Sequence, residues 1–261
     1  MRTQPVPRWQ GADMYVARIG FTPVKGGRHR THGSAMLTPA GPVGDRVFCL
    51  VDATVDRCLR TVENPTLLQA SAAWDGTVLS VELPAGSVTG EPRPTGEVRE
   101  VDYWGRTAAL EVVAGPWAAA YTEHLGREVV LARSDPGEVV YGGAVTLVTT
   151  GSLRRLADEV GEPVDAARFR ATFEIDADAG TEDGWVGRRV RVGAAEVRVR
   201  GLVPRCAVID LDPTTGVRDR SLLGTLAGRR RFGVEIPFGV DAEVTVPGRV
   251  ATGDRAEVVP G

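Results

Sequence analysis

The feature that most constrains this chain is a short rhythm. Apolar and polar residues alternate over a few positions, and then a glycine or proline breaks the run; 32 glycines and 17 prolines are spread through 261 residues. A period of two puts one face of an extended strand against a core, and no long 3.6-residue period competes with it over most of the chain. Tyr15-Val16-Ala17-Arg18-Ile19-Gly20-Phe21, Val190-Arg191-Val192 and Val197-Arg198-Val199-Arg200 all follow this pattern, as do 34–38, 129–132 and 145–148. The run 47–52 is apolar up to its last residue, Asp52. Segments 67–71 and 78–83 predict strands around the turn Trp74-Asp75-Gly76, and 84–97, rich in Pro, Gly and Thr, predicts a loop or domain joint. Helices are expected at 116–125, with Pro116 in the first turn and Gly126 past the end, and from Thr150 or Ser152 as cap to Gly161. Ser221 is expected to cap a short one ending at Leu226. The fold class is therefore β-rich α+β: a smaller N-terminal β part over 14–97 and a larger β-barrel-like part with a few helices over 98–261.

Composition narrows the function classes. A formal net charge of −3 speaks against a general nucleic-acid or membrane-surface binder. No apolar run reaches the length of a membrane span, and the polar, proline-containing residues 1–13 read as a loose arm without the apolar centre of a signal peptide. Three scattered cysteines make neither a disulfide framework nor a zinc or iron–sulfur motif. A reducing cytoplasm is the expected compartment.

Two stretches concentrate chemistry. In 22–30, Pro23 ends a strand, Gly26 and Gly27 leave backbone N–H groups open to a ligand, and Lys25, Arg28 and Arg30 make the loop cationic; Lys25 is the only lysine in the chain. In 204–216, Arg205 precedes Cys206 at the start of a strand-like apolar run, which stops at Asp212-Pro213-Thr214-Thr215-Gly216. A neighbouring guanidinium favours thiolate, which is both nucleophile and soft-metal ligand; a small buried hydrophobe is the alternative reading. Arg168 and Arg170, two apart on an expected strand, would share a face that calls for an anion or open water. The hydroxyl-rich helix start at Thr150 and Ser152 is either an anion seat or a plain cap. Cys49 reads as core, Cys58 as part of a polar loop, His124 as a helix-face residue, and His29 and His32 as members of the basic loop.

In order along the chain, Pro23-Val24-Lys25, Gly44-Asp45-Arg46, Thr150-Gly151-Ser152-Leu153, Arg168-Phe169-Arg170, Arg205-Cys206, the Asp212 to Gly216 turn and Phe238-Gly239-Val240 resemble the MOSC family, named for the C-terminal part of molybdenum cofactor sulfurase, together with its N-terminal β-barrel companion. The resemblance covers roughly residues 14–260 and implies molybdenum cofactor (molybdopterin) as ligand. It implies Cys206 as molybdenum ligand and catalytic residue, and Lys25, Arg46, Thr150, Ser152, Arg168, Arg170, Thr172 and Arg205 as cofactor binders. Members of this two-part build include amidoxime and N-hydroxylamine reductases, so a small N-oxygenated substrate and a separate electron-donor protein are the implied partners. Two positions depart from the family pattern. Ala171-Thr172 stands where Pro-Asn is common, and Gly26 where serine is common, leaving a shorter hydroxyl and a bare backbone donor. A cofactor or sulfur carrier using a Cys206 persulfide, and a scaffold acting on another small molecule without molybdenum, are the alternative readings.

Overall fold

The protein, a computed structural model, is described over residues 13–103, 105–230 and 232–260; the arm expected over 1–13 lies, except for Asp13, outside them. The expected β-rich α+β architecture is present as two closed barrels. In the larger one, the strand Met14–Phe21 pairs with Phe173–Asp176 on one side and Arg255–Val259 on the other. Val145–Thr149, Pro237–Val246, Ala195–Pro204 and Arg189–Val192 complete the ring, and Arg30–His32 hangs on Met14–Phe21 outside it. Closure leaves no unpaired edge within the ring, so short strands suffice. Alternation along each strand sends Val16, Ile19, Leu147, Phe173, Ile175, Val190, Val197 and Val240 into one core.

The smaller barrel closes through Phe48–Asp52, Arg57–Cys58, Arg93–Tyr103, Arg106–Ala114 and Val129–Arg133. Its Phe48–Asp52 strand is apolar without alternation because both faces are covered. Phe48 and Leu50 pack outward with Leu79, Trp117 and Tyr121, while Cys49 and Val51 pack inward with Cys58, Val101, Tyr103 and Leu110. The outward cover is the three-stranded sheet Ser71–Trp74, Leu79–Leu83 and Gly86–Gly90, plus helix α1, Trp117–Leu125. Helices α2 (Thr150–Val160) and α3 (Leu222–Ala227) cover the larger barrel, burying Leu153, Leu156, Leu222 and Leu226 against Phe169, Phe238 and Ile209.

Several local expectations give way to tertiary context. The boundary drawn at 97/98 falls inside the strand Arg93–Tyr103, whose pairing with Arg106–Ala114 runs on both sides of it. Segment 84–97 is largely strand, because its glycines and threonines pair along a sheet edge. Residues 65–69 form a 3-10 turn in place of a strand, opened by Pro65. The run after Cys206 is a 3-10 turn, Ala207–Asp210, because Pro204 ends the preceding strand and only Ile209 and Asp210 are buried. Thr149, and neither Thr150 nor Ser152, caps α2: its hydroxyl accepts from Ser152 N at 3.2 Å. Ser221 makes no cap bond; buried Asp210 serves α3, accepting from Leu223 N at 2.8 Å. Cys58 is 1% exposed, since its two-residue strand turns the thiol inward.

The barrels meet at a seam built from the end of Met14–Phe21. Leaving the larger ring, the chain continues along the smaller one: Lys25 N donates to Phe48 O at 2.7 Å, Phe48 N to Pro23 O at 2.9 Å and Arg46 N to Thr22 O at 2.8 Å. The turn 212–216 crosses the same seam. Arg28 Nη2 reaches Thr214 O and Gln69 Nε2 reaches Thr215 O, both at 2.9 Å. Gly216 makes this docking possible: its φ is +75°, and a Cβ there would lie 2.2 Å from Pro65 O. Gly216→Ala is therefore expected to destabilise the protein by about 1–3 kcal/mol, read as a lower urea midpoint at unchanged slope.

Candidate functional site

The seam gathers positive charge. Lys25 sits where the chain passes between barrels, with its ammonium 5.0 Å from the Tyr103 ring centroid. Arg46 has a left-handed backbone (φ 50°), its carbonyl is held by Ser134 Oγ at 3.1 Å, and its guanidinium lies 3.3 Å from the Asp45 carboxylate. Arg170, also left-handed at φ 50°, donates to Gly27 O at 2.8 Å. The three cations act on one another. Burial lowers the Lys25 pKa, partly opposed by Cys58 and Cys49, while Arg46 and Arg170 lower it further. Burial, reinforced by Arg46 and opposed by Asp45, brings Arg170 down to about 10. At neutral pH Arg170 remains charged. Among the described residues neither Lys25 nor Arg170 has a carboxylate within ion-pair distance.

Arg205 joins this group to Cys206. Its Nε donates to Phe238 O and its Nη1 to Phe169 O, each at 2.7 Å, so it grips the carbonyl just before Arg170. The guanidinium also lies 5.4 Å from the Phe169 ring centroid, and Phe169 stacks on Phe238 at 4.4 Å. Its Nη2 is buried with no partner. Burial lowers its pKa to about 10, with the Cys206 sulfur acting the other way. Gly239 (φ +73°) leaves the room: a Cβ there would lie 2.6 Å from Leu147 O and 3.2 Å from Arg205 Nη2. Cys206 itself is exposed. The structure thus places a thiol open to solvent next in the chain to a half-buried guanidinium with one buried, unpartnered donor, and that guanidinium holds the carbonyl preceding Arg170, one of three further cations at the seam.

Other expected site residues are committed elsewhere. Arg168 and Arg170 do not share a strand face, since the chain there is a 3-10 turn, Ala166–Phe169, followed by a left-handed residue. Arg168 is 6% exposed and makes a fork on Asp219, at 2.8 and 2.6 Å, plus a 2.8 Å bond to Leu211 O. Thr150 donates to Asp176 at 2.7 Å, and Ser152 Oγ accepts from Gly180 N at 2.9 Å. Both lie at the far end of the parallel pair Val145–Thr149 and Phe173–Asp176 from Arg170, under the loop 177–180 that a Cβ on Gly151 would strike at 2.3 Å. Thr172 exchanges bonds of 3.2 Å with Thr146 across the barrel wall. Sequence reading missed the Asp219 partner of Arg168, for which the pair of charges 51 positions apart offers no local signal, and it read His29 as a loop residue although its side chain is buried.

The turn beyond Cys206 is held by carboxylates. Asp212 Oδ1 accepts from Thr214 N at 2.9 Å, Thr214 Oγ at 2.6 Å, Thr215 N at 2.7 Å and Thr215 Oγ at 3.0 Å. These bonds outweigh its desolvation and hold Asp212 well below the usual carboxylate range; the Arg168 fork does the same for Asp219. Both carboxyls ionise more readily folded than unfolded, so their stabilisation is full above about pH 4 and is lost as the pH falls through the depressed folded values. Asp219→Asn should cost about 1–2 kcal/mol near neutral pH, allowing for the solvent that reaches the pair. The gap between the variant and the unaltered protein should narrow as the pH falls below about 4 in an acid-unfolding series.

Among the described residues no helix is long and apolar enough to cross a membrane. No curated protein matches the chain. Solved structures similar to it include the YUAD protein of Bacillus subtilis, at 13% identity over 95% of this chain and 96% of that one with a TM-score of 0.49. Two YiiM proteins are similar over less of it. That of Geobacillus stearothermophilus is 18% identical over 45% of this chain and 55% of its own, with a TM-score of 0.35. That of Escherichia coli is 20% identical over 46% and 56%, with a TM-score of 0.34. The model of the MOSC domain matches residues 122–257, from α1 through the last strand of the larger barrel. Matched over more than half its length, the chain belongs to the MOSC domain family.

Proposed function

We propose that this MOSC protein is a molybdenum-cofactor oxidoreductase that reduces N-oxygenated small molecules such as N-hydroxylamines and amidoximes. One observation carries the reading: Lys25, Arg170 and Arg205 are half-buried and desolvated without carboxylate ion-pair partners, and Arg205, which holds the carbonyl preceding Arg170, is the chain neighbour of an exposed thiol. Such cations are costly alone and become favourable against a polyanion. MOSC domains are associated with molybdenum cofactor binding in general, and that cofactor ends in a phosphate and carries its metal on sulfur.

The residues present fit this ligand in part. Lys25, Arg46 and Arg170 would hold the phosphate, Arg205 would give its free Nη2 donor, and Cys206 would offer a thiolate to the metal. Among the described residues no group of three or more His, Cys, Asp or Glu side chains can hold a metal by itself, which suits a metal that arrives with its own sulfur ligands. Arg168, Thr150, Ser152 and Thr172 would serve by positioning: Arg168 fixes the turn beyond Cys206, and the three hydroxyls hold the barrel end and wall. When bound, the cofactor supplies a two-electron couple for N–O reduction. Overall the N–O bond breaks, two electrons and two protons enter, and the reduced nitrogen compound and water leave. The electrons would come from a separate donor protein. Arg205 keeps positive charge beside Cys206 throughout.

Protein from a molybdate-supplied host should carry molybdenum and release oxidised pterin fluorescence. Cys206→Ala should lower N-hydroxylamine reduction by at least about a hundredfold, and Arg170→Leu should weaken cofactor retention about ten- to a hundredfold, the worth of a hydrogen bond to a charged group. Absence of both metal and pterin after reconstitution would overturn the reading. A persulfide on Cys206 without molybdenum would turn it to sulfur carriage.

A further inference from the structure

His29 is the buried polar group at the seam that nothing above uses. Its side chain is 7% exposed, and both ring nitrogens are buried without a partner. Buried polar atoms in folded proteins are nearly always paired, so two orphaned nitrogens on one ring call for an explanation. The backbone around it is fixed: Gly27 N donates to Val24 O at 3.1 Å and Arg28 N to Ala70 O at 2.9 Å. Gly27 O, two residues away, receives Arg170. The other histidines are occupied. His32 stacks on Phe21 at 3.7 Å with its Nε2 3.4 Å from Phe21 O, and His124 Nε2 lies 3.1 Å from Thr66 O.

The charges facing His29 are positive. Arg170, Arg46, Arg18 and His32 all disfavour its protonation, after burial itself, and together they hold it well below its ordinary value. Asp45 is the carboxylate that acts on Arg170, and it is engaged by Arg46 at 3.3 Å and Thr22 N at 3.3 Å. Asp165 and Glu174 act on Arg18. The ring is therefore neutral and unpaired among cations, an arrangement that a bound anion would reverse.

We propose that His29 is a positioning residue for the ligand's phosphate: it donates a ring N–H to the same tetrahedral anion that Lys25, Arg46 and Arg170 attract, and takes up a proton from solvent as that anion binds. The inference rests on the anionic-ligand reading above and adds a pH dependence to it. A dianion within hydrogen-bond distance of an imidazole favours the imidazolium, typically by one to about three pKa units. The bound state then holds more protons than the free state, so anion affinity rises as pH falls through the neutral range. Without anion, neutral burial of His29 costs stability once the unfolded chain protonates its own histidines, below about pH 6.5.

Inorganic sulfate is a suitable probe, because it is a tetrahedral dianion with no proton of its own near pH 7. Titration calorimetry of the full chain in two buffers of different ionisation enthalpy should show net proton uptake with sulfate binding. Histidine-selective 15N NMR should show one ring passing from neutral to imidazolium. His29→Gln should bind sulfate about tenfold more weakly and lose the uptake, while His32→Gln keeps both. If His29→Gln does not fold, His32→Gln and His124→Gln identify the responding ring by elimination. Sulfate binding without proton uptake, or with a response from another ring, would overturn the role of His29 and leave the anion site standing. Failure of the unaltered protein to bind sulfate, or undiminished binding by Arg170→Leu, would overturn both.

Discussion

The structure depends on one requirement: every strand edge at the meeting of two barrels must find a partner. Met14–Phe21 meets it twice in the larger ring, against Phe173–Asp176 and Arg255–Val259. Past Phe21 the same chain turns onto Phe48 and supplies the neighbouring edge of the smaller barrel. An unpaired backbone group buried there would cost as much as a lost hydrogen bond, so this crossing leaves little freedom in how the barrels sit. The side chains at the crossing inherit that order. Lys25 is on the crossing itself, Arg46 is bonded to it through Thr22, and Arg170 is bonded to Gly27 just beyond it.

The contrast between Arg168 and Arg170 shows what the seam does electrostatically. Arg168 is buried and Arg170 half-buried, two residues apart. Arg168 is compensated in place by Asp219 and Leu211, which makes it part of the framework around the turn 212–216. Arg170 has one backbone carbonyl and a repelling Arg46, offset in part by Asp45 beyond ion-pair distance, which makes it a group poised for something the chain does not supply. Arg205 combines the two roles: two of its donors tie Phe169 and Phe238 together, and the third is left over. A preorganised surplus of donors and positive charge of this kind gains most from a ligand carrying several negative oxygens.

Much of this was legible in the residues. Alternation fixed most strands, the Pro116 and Gly126 punctuation marked α1, and the ordered motifs singled out Lys25, Arg46, Arg170, Arg205 and Cys206. Reading failed where a partner far along the chain decides the outcome. Asp219 claims Arg168 across 51 positions. Cys58 and His29 look like polar loop residues until the small barrel and the seam close over them. Segment 84–97 looks like a linker until a neighbouring strand pairs with it. Propensity and pattern are local quantities, and burial is not.

By itself the sequence determined the β-rich class and the positions of the main helices, and it pointed to the thiol and cations that a ligand is proposed to use. These follow from period, turn chemistry and residue type, all of which act over a few neighbours. Only the tertiary structure decided which cations are spent and which remain free, because that depends on which carboxylate folding brings within reach. It also decided that His29 is enclosed among positive charges without a hydrogen-bond partner, since desolvation is a property of the closed seam and of no single stretch of chain.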